Sequence, residues 1–229
     1  EKYMRKYRAN RTAEMTQSEL EHLEQVRKLA GECMVILEND GILPLKQVGK
    51  VALYGNGARH TIKGGTGSGD VNARQIVSIE QGLKDAGFEI MTERWLNTYD
   101  EQITEAKEVY QKKIKKLAAD LHKPEINVAF DYPYEDPDAP EISEKEEADL
   151  AVYVLSRNSG EGKDRDCRKG DYLLTDREEA NIRYITEHYE KSIVLLNTGG
   201  IIDTSFLRSL ENLNALVIIG QTGSEGGHI

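Results

Sequence analysis

The sequence predicts an α/β protein, a three-layer α/β/α sandwich in which helices cover both faces of a mostly parallel sheet. Short apolar runs rich in β-branched residues occur at Lys50–Tyr54, Asp149–Leu155, Ser192–Asn197 and Ala215–Ile219, and such runs are typical of strands buried on both faces. Segments with apolar residues at every third or fourth position lie between them, as amphipathic helices do. The alternation of the two patterns indicates parallel strands joined by helices.

Three helices and two strands are expected in the first half of the chain. Thr16, with Glu19 three positions later, has the form of a capping box, and the apolar period that follows predicts a helix as far as Leu37. The remaining elements are the strand Lys50–Tyr54, a helix over Arg74–Gly87, a short strand at Phe88–Met91 and a Lys- and Glu-rich helix over Thr98–His122.

The second half begins with an irregular segment. Residues 127–148 are rich in Pro, Asp, Glu and Tyr, and their prolines exclude a regular helix, so a surface loop is expected. Thr175 and Glu178 form a second capping-box pattern, which opens a helix to about Tyr189. A short helix is expected at Ser205–Leu210. The glycine-rich end at 220–229 is expected to lead into a further helix, so the chain is expected to be cut in mid-element.

Composition narrows the class of protein. The chain has 229 residues and a net charge of −10, from 30 basic and 40 acidic side chains. This balance argues against a nucleic-acid surface, which needs clustered Lys and Arg. No apolar run approaches the roughly 18 residues that span a bilayer, and no signal peptide is visible, so we expect a soluble, cytoplasmic protein without a membrane partner. Cys33 and Cys167 form neither a disulfide framework nor a metal-ligand pattern.

The chain is expected to hold one folded domain. Residues 1–17 are basic and polar and are expected to form a leader or linker, while residues 18–229 carry the alternating pattern. The first residue is Glu rather than Met, which suggests a segment of something longer.

The most informative stretch is Ser159–Arg165, directly after the apolar run that ends at Leu155. In open α/β sheets, ligands bind beyond the carboxyl ends of the strands. Glu161 lies between Gly160 and Gly162, which allow a sharp turn and a close approach of substrate. Glu161 is therefore a candidate catalytic carboxylate. Asp164 and Arg165 either pair to shape this loop or are surface charges.

Other kinds of site have little support. Gly55 and Gly57 follow a strand as in a dinucleotide-binding loop, but His60 stands where the third glycine belongs. Gly64–Asp70 lacks the Gly-Lys-Ser/Thr that closes a phosphate-binding P-loop. The histidines show no paired spacing, so we expect neither a metal nor a cofactor.

Four ordered motifs resemble the α/β-sandwich domain of glycoside hydrolase family 3. The resemblance covers the chain from about residue 18 to the end. The motifs are Gly31–Leu45, Lys63–Asn72, Ser156–Arg165 and Gly223–Gly227.

This resemblance implies a retaining glycosidase of the β-glucosidase kind, acting on a β-linked oligosaccharide or β-glucoside. It assigns the general acid/base to Glu161 and places the nucleophilic aspartate on a TIM-barrel domain of the same protein. The resemblance also implies that substrate-binding residues lie in two loops, namely Gly65, Thr66, Gly67 and Ser68 in the first and Asp164 and Arg165 in the second.

The chain departs from the family pattern in two respects. It contains no Ser-Asp-Trp-type nucleophile motif, so the catalytic barrel is absent and the chain alone is expected to be inactive. It begins with a basic leader, and therefore resembles the subgroup in which the sandwich domain precedes the barrel. The alternatives are a carbohydrate- or ligand-binding α/β module without catalysis and, with less support, a nucleotide-binding protein.

Overall fold

The computed structural model describes residues 12–160 and 164–229. Within these residues, six strands form one sheet in the order β1-β6-β5-β4-β2-β3. β1 pairs antiparallel with β6, and every other pair is parallel, which confirms the mostly parallel sheet. The strands are β1 Val35–Asn39, β2 Lys50–Tyr54, β3 Glu89–Ile90, β4 Leu150–Arg157, β5 Lys191–Thr198 and β6 Ala215–Ile218.

The α-helices of the described residues surround this sheet. They are α1 Gln17–Ala30, α2 Ile79–Asp85, α3 Glu93–Leu121, α4 Glu125–Asp131, α5 Asp176–His188 and α6 Ser205–Arg208. Both capping boxes are confirmed. Thr16 caps α1 with Glu19, and Thr175 caps α5 with Glu178. No helix in the described part of the chain is long and apolar enough to cross a membrane.

The central strand β4 shows why the fold has three layers. Its residues alternate between two apolar cores, with Tyr153 and Leu155 on one face and Val152 and Val154 on the other. The first core includes Ile182 and Ile185 of α5, and the second includes Ile79 of α2. Because all eight residues of β4 are buried, the unbroken apolar run is explained by helices on both faces.

The first predicted helix is too long. α1 ends at Ala30, a 3-10 turn follows at Gly31–Cys33, and Val35–Asn39 forms an edge strand instead. The β-branched residues Val35 and Ile36 favour a strand. Their backbone groups pair with those of β6, which would otherwise be an open edge.

Three other boundaries differ from the predictions. α2 begins only after Ser78, whose hydroxyl accepts a hydrogen bond from Gln81 N at 3.2 Å. α3 begins at Glu93 rather than Thr98. The segment predicted as a loop from residue 127 instead starts within α4, because Val128 is buried against Ile114 and Ala118 of α3. Beyond α4, residues 133–148 form no regular element, as predicted.

The C-terminal glycine-rich stretch forms a 3-10 helix at Gly223–His228. It packs on α2 so closely that a side chain at Gly227 would overlap the Ser78 carbonyl. Glu225 is fully buried in this turn. Its carboxylate accepts hydrogen bonds from Arg27 of α1 at 2.7 Å and from Gln75 at 3.3 Å, and it contacts His228 at 2.9 Å. These contacts attach α1 to the sandwich.

Candidate active site

A cleft of about 960 Å³ lies at the carboxyl end of the parallel strands. This is where an open α/β sheet places its ligands. Residues following β2, β4 and β5 form its floor, and the irregular segments 133–139 and 164–172 form its walls. The lining residues include Asn56, His60, Tyr134, Glu135, Tyr153, Ser156, Arg157, Ser159, Gly160, Asp164, Arg165, Arg168, Asp171, Glu178 and Gly200.

Two asparagines hold the strand ends that form the floor. The Asn56 side chain accepts a hydrogen bond from Ser156 N at 2.8 Å and donates one to Ser156 O at 3.0 Å. Asn197, at the end of β5, accepts from Ser156 Oγ at 2.8 Å and from Ile62 N at 2.6 Å. Its amide nitrogen donates to the carbonyls of Ile62 and Gly220. The segments after β2, β4, β5 and β6 are thus fixed relative to one another.

The glycine-rich loop after β2 packs directly on the residues that precede Glu161. Thr66 N donates to Ser159 O at 3.0 Å, and a Cβ on Gly65 would lie only 2.9 Å from the same oxygen. Gly67 adopts a φ of +82°, a conformation that favours glycine. Gly65, Thr66 and Gly67 do not line the cleft but support Ser159 and Gly160, which do.

Glu161 itself lies outside the described residues, as do Gly162 and Lys163 and the side chain of Ser68. The residues on either side of this gap are described. Ser159 and Gly160 precede it and Asp164 and Arg165 follow it, and all four line the cleft. Both ends of the segment that contains Glu161 therefore lie at the cleft.

Asp164 and Arg165 do not act as a pair within the described part of the chain. Arg165 donates from Nη1 to Asp171 Oδ1 at 2.8 Å, and each of these side chains is only 15% exposed. Asp164 is exposed. The sequence left open whether these two residues pair with each other or are surface charges. Asp164 is a surface charge. Arg165 has a structural partner, which is Asp171.

A buried ion pair at the cleft floor was missed by sequence reasoning. Arg157, the last residue of β4, binds Glu178 of α5 through two hydrogen bonds, Nη1–Oε1 at 2.7 Å and Nη2–Oε2 at 2.5 Å. Both residues are less than 10% exposed. Glu178 also accepts from Thr175 N at 2.8 Å to complete the capping box. The signal in the sequence was an arginine two residues beyond the apolar run that ends at Leu155.

The segment after α4, which was predicted as a surface loop, forms one wall of the cleft. Glu135 binds Arg168 across the cleft at 2.7 Å. Burial, with a smaller contribution from Asp136, raises the pKa of Tyr134 to about 12. Burial also raises the pKa of Tyr153 well above its usual value. Both phenols are therefore neutral hydrogen-bonding groups at ordinary pH.

Ionisable side chains that line the cleft are held by further contacts. His60 lies 2.7 Å from Asp100, whose other oxygen accepts from Arg59 at 2.8 Å. For Asp171, burial opposes the charged form, but hydrogen bonds from Arg165 and from Asp166 N outweigh it and lower the pKa. Among the described residues, no cluster of His, Cys, Asp or Glu has the composition of a metal site.

The chain is similar to known proteins in both sequence and structure. The family model described as the glycosyl hydrolase family 3 C-terminal domain matches residues 34–229. A β-glucosidase from Ruminococcus albus is 31% identical over 208 residues, covering 90% of this chain and 21% of its own length. β-Glucosidase A from Butyrivibrio fibrisolvens is 29% identical over 90% of this chain and 26% of its own length. The chain thus spans about a quarter or less of these relatives.

Solved structures show the same fold. β-Glucosidase 3B from Thermotoga neapolitana in complex with α-D-glucose has a TM-score of 0.70 and 30% identity, over 93% of this chain and 29% of its own. Its complex with glycerol has a TM-score of 0.69 and 33% identity, over 91% and 28%. A β-glucosidase from Paenibacillus barengoltzii, at 24% identity and a TM-score of 0.65 over 90% of this chain and 22% of its own, shares the fold.

Proposed function

Because the chain belongs to glycosyl hydrolase family 3, as the C-terminal domain of that family, we propose that it is the α/β-sandwich part of a retaining β-glucosidase-like enzyme and that Glu161 is its general acid/base. The observation that carries this proposal is the position of the described residues that flank Glu161 in the chain. The residues on both sides of it, Gly160 and Asp164, line the cleft at the carboxyl end of the sheet. The similar proteins named β-glucosidase support a β-linked glucoside or oligosaccharide as the substrate.

The proposed reaction needs a second carboxylate. A retaining glycosidase uses one carboxylate as the nucleophile and one carboxylic acid as acid and then base, about 5–5.5 Å apart. We propose that the nucleophile is an aspartate on a TIM-barrel domain of the same polypeptide, and that the sandwich domain precedes that barrel. The fact that this chain spans only 21% of its Ruminococcus relative is consistent with further domains in such a protein.

In the first step, the nucleophile attacks the anomeric carbon while the protonated Glu161 gives its proton to the departing glycosidic oxygen. The glycosyl–enzyme ester forms as the glycosidic bond breaks. In the second step, the ionised Glu161 takes a proton from water, which attacks the ester and releases the sugar with its original configuration.

The other predicted site residues have supporting roles in this proposal. Gly65, Thr66, Gly67 and Ser68 belong to the loop that supports the residues preceding Glu161, since Thr66 N donates a hydrogen bond to Ser159 O. Asp164 presents an exposed carboxylate beside the cleft, suited to accept hydrogen bonds from sugar hydroxyl groups.

The test is Glu161→Ala in the full-length protein, measured with aryl β-glucosides of graded leaving-group pKa. Poor leaving groups need protonation, so their glycosylation should slow by about 10²–10⁴-fold. Activated aryl glucosides depart without a proton, so their glycosylation should be nearly unchanged. Azide needs no general base, so adding it should restore turnover and yield the β-glucosyl azide.

Glu187→Ala is the matched control, because Glu187 is an exposed glutamate on α5. This variant should behave as the wild type on every substrate. Equal loss on good and poor leaving groups in folded Glu161→Ala, without rescue by azide, would show that another residue is the acid/base. A protein that binds β-glucosides and hydrolyses none would support the non-catalytic binding module instead.

A further inference from the structure

Asp171 makes hydrogen bonds to both ends of the loop that contains Glu161. Its carboxylate accepts from Arg165 Nη1 at 2.8 Å and from Asp166 N at 2.9 Å, which lie after Glu161 in the chain. Its backbone carbonyl accepts from Arg157 Nε at 3.2 Å, at the end of β4 and before Glu161. Asp171 thus connects the end of β4, where the loop begins, with Arg165 and Asp166, which follow Glu161 in the chain.

We infer that Asp171 is a positioning residue for the general acid/base, an inference that rests on the function proposed above for Glu161. Asp171 acts through Arg165 and does not itself contact the reacting atoms. Its role is to hold the closing end of the loop against the last residue of β4.

Neighbouring residues hold Arg157 and Arg165, the two residues that Asp171 connects, in fixed positions. Arg157 is fixed on its other side by the buried carboxylate of Glu178. Arg165 Nη2 lies 3.4 Å from the Arg157 carbonyl, so the two ends of the loop also contact each other directly. Gly200, two residues beyond the end of β5, lies beside Arg165, since a Cβ built there would be in ordinary van der Waals contact with Arg165 Nε at 3.5 Å.

The charge on Asp171 is important to this role. Hydrogen bonds between ionised partners are about twice as strong as neutral ones, and the two side chains are largely shielded from water. Asp171→Asn keeps the size of the side chain and an oxygen acceptor but removes the charge that holds Arg165. The loop should then sample a wider range of positions while the sheet below it stays intact.

A general acid is sensitive to such a change. It must lie within about 2.6–3.2 Å of the oxygen that it protonates, and a displacement of about 1 Å can cost roughly 10²-fold in rate. Only substrates that need protonation depend on that distance. Loss of positioning should therefore depend on the leaving group, whereas a merely structural role for Asp171 would affect all substrates equally.

The experiment measures kcat/KM of the full-length Asp171→Asn variant over the same series of aryl β-glucosides. We expect a loss of about 10–100-fold for poor leaving groups and less than about 3-fold for the most activated ones, with thermal unfolding close to that of the wild type. Asp176→Asn is the matched control, because Asp176, the first residue of α5, is exposed and pairs with Lys169. This control should leave the series unchanged.

Arg165→Gln and the Arg165→Gln/Asp171→Asn double variant complete the test. If the two residues act as a unit, the double variant should lose no more on poor leaving groups than the more impaired single variant. Arg165→Lys, which keeps the charge but not the planar pair of donors, replaces Asp171→Asn if the latter does not fold, and the same dependence on leaving group is expected.

The inference is overturned by an unchanged series, or by equal loss on good and poor leaving groups. Glu161→Ala measured in parallel separates the two proposals. If Glu161→Ala behaves as an acid/base variant while Asp171→Asn shows uniform loss, only the positioning role is wrong. If neither depends on the leaving group, the function proposed for Glu161 is wrong.

Discussion

Replacing Glu178 by Ala should strongly destabilise the domain, because it leaves the Arg157 guanidinium buried without its counter-charge. Both partners are less than 10% exposed, and the pair is joined by two short hydrogen bonds. Removing one partner of such a pair typically costs about 3–5 kcal/mol. For a chain of 229 residues, each kcal/mol lowers Tm by about 2–4 °C, so the expected decrease is roughly 6–20 °C.

Urea and thermal unfolding of three further variants identify the cause. Glu178→Gln keeps the volume and the hydrogen bond that caps Thr175 N, so it should lose less stability than the Ala variant. The Arg157→Met/Glu178→Leu double variant removes both charges and should recover most of the loss, because an apolar pair of similar size replaces the ion pair. Glu24→Ala breaks an exposed pair with Lys28 and should change the free energy of unfolding by less than about 0.5–1 kcal/mol.

The reasoning would be refuted if Glu178→Ala unfolded within about 1 kcal/mol of the wild type, which is the range of an exposed pair. It would also be refuted if the double variant were less stable than the single one. In the second case, the side chains of Arg157 and Glu178 would contribute through contacts other than their mutual charge. The contacts from Arg157 to the carbonyls of Ser156 and Asp171 would then be the ones to test.

Two further predictions concern activity and pH. The chain 1–229 alone should hydrolyse no aryl β-glucoside above background, since the proposed nucleophile lies on another domain. Turnover at enzymatic rates by contaminant-free protein would contradict the proposal that nucleophile and acid/base lie on different domains. Hydrogen bonds to Asp85 and Glu225 raise the pKa of His228, while burial and, to a smaller extent, nearby Arg27 oppose this. The stability that His228 contributes is therefore present in full below its unfolded pKa of about 6.5. It is lost as pH rises through the raised pKa of the folded state. In urea unfolding, His228→Gln should therefore be less stable than the wild type at pH 6 and closer to the wild type at pH 9.

Much of the scaffold could be predicted from the sequence, because it depends on local patterns. The run Leu150–Leu155 is apolar at every position and could be satisfied only by burial on both faces. Thr175 and Glu178 satisfy backbone groups within one turn of helix, so the start of α5 needed no distant partner. The family resemblance likewise rested on ordered motifs, and the match to residues 34–229 confirms it.

Other features were decided only by the tertiary structure. Val35–Asn39 continues the apolar spacing of α1 but becomes a strand because the edge of β6 supplies hydrogen-bond partners from residues 215–218. Arg165 pairs with Asp171 rather than with its neighbour Asp164, and Arg157 pairs with Glu178, 21 residues away. The pairing of such charged side chains depends on their burial and on their distance in the folded chain, and the spacing of residues in the sequence specifies neither. The sequence alone determined the parallel strands and the candidate loop, whereas packing decided the antiparallel edge strand and which charged groups hold that loop at the cleft.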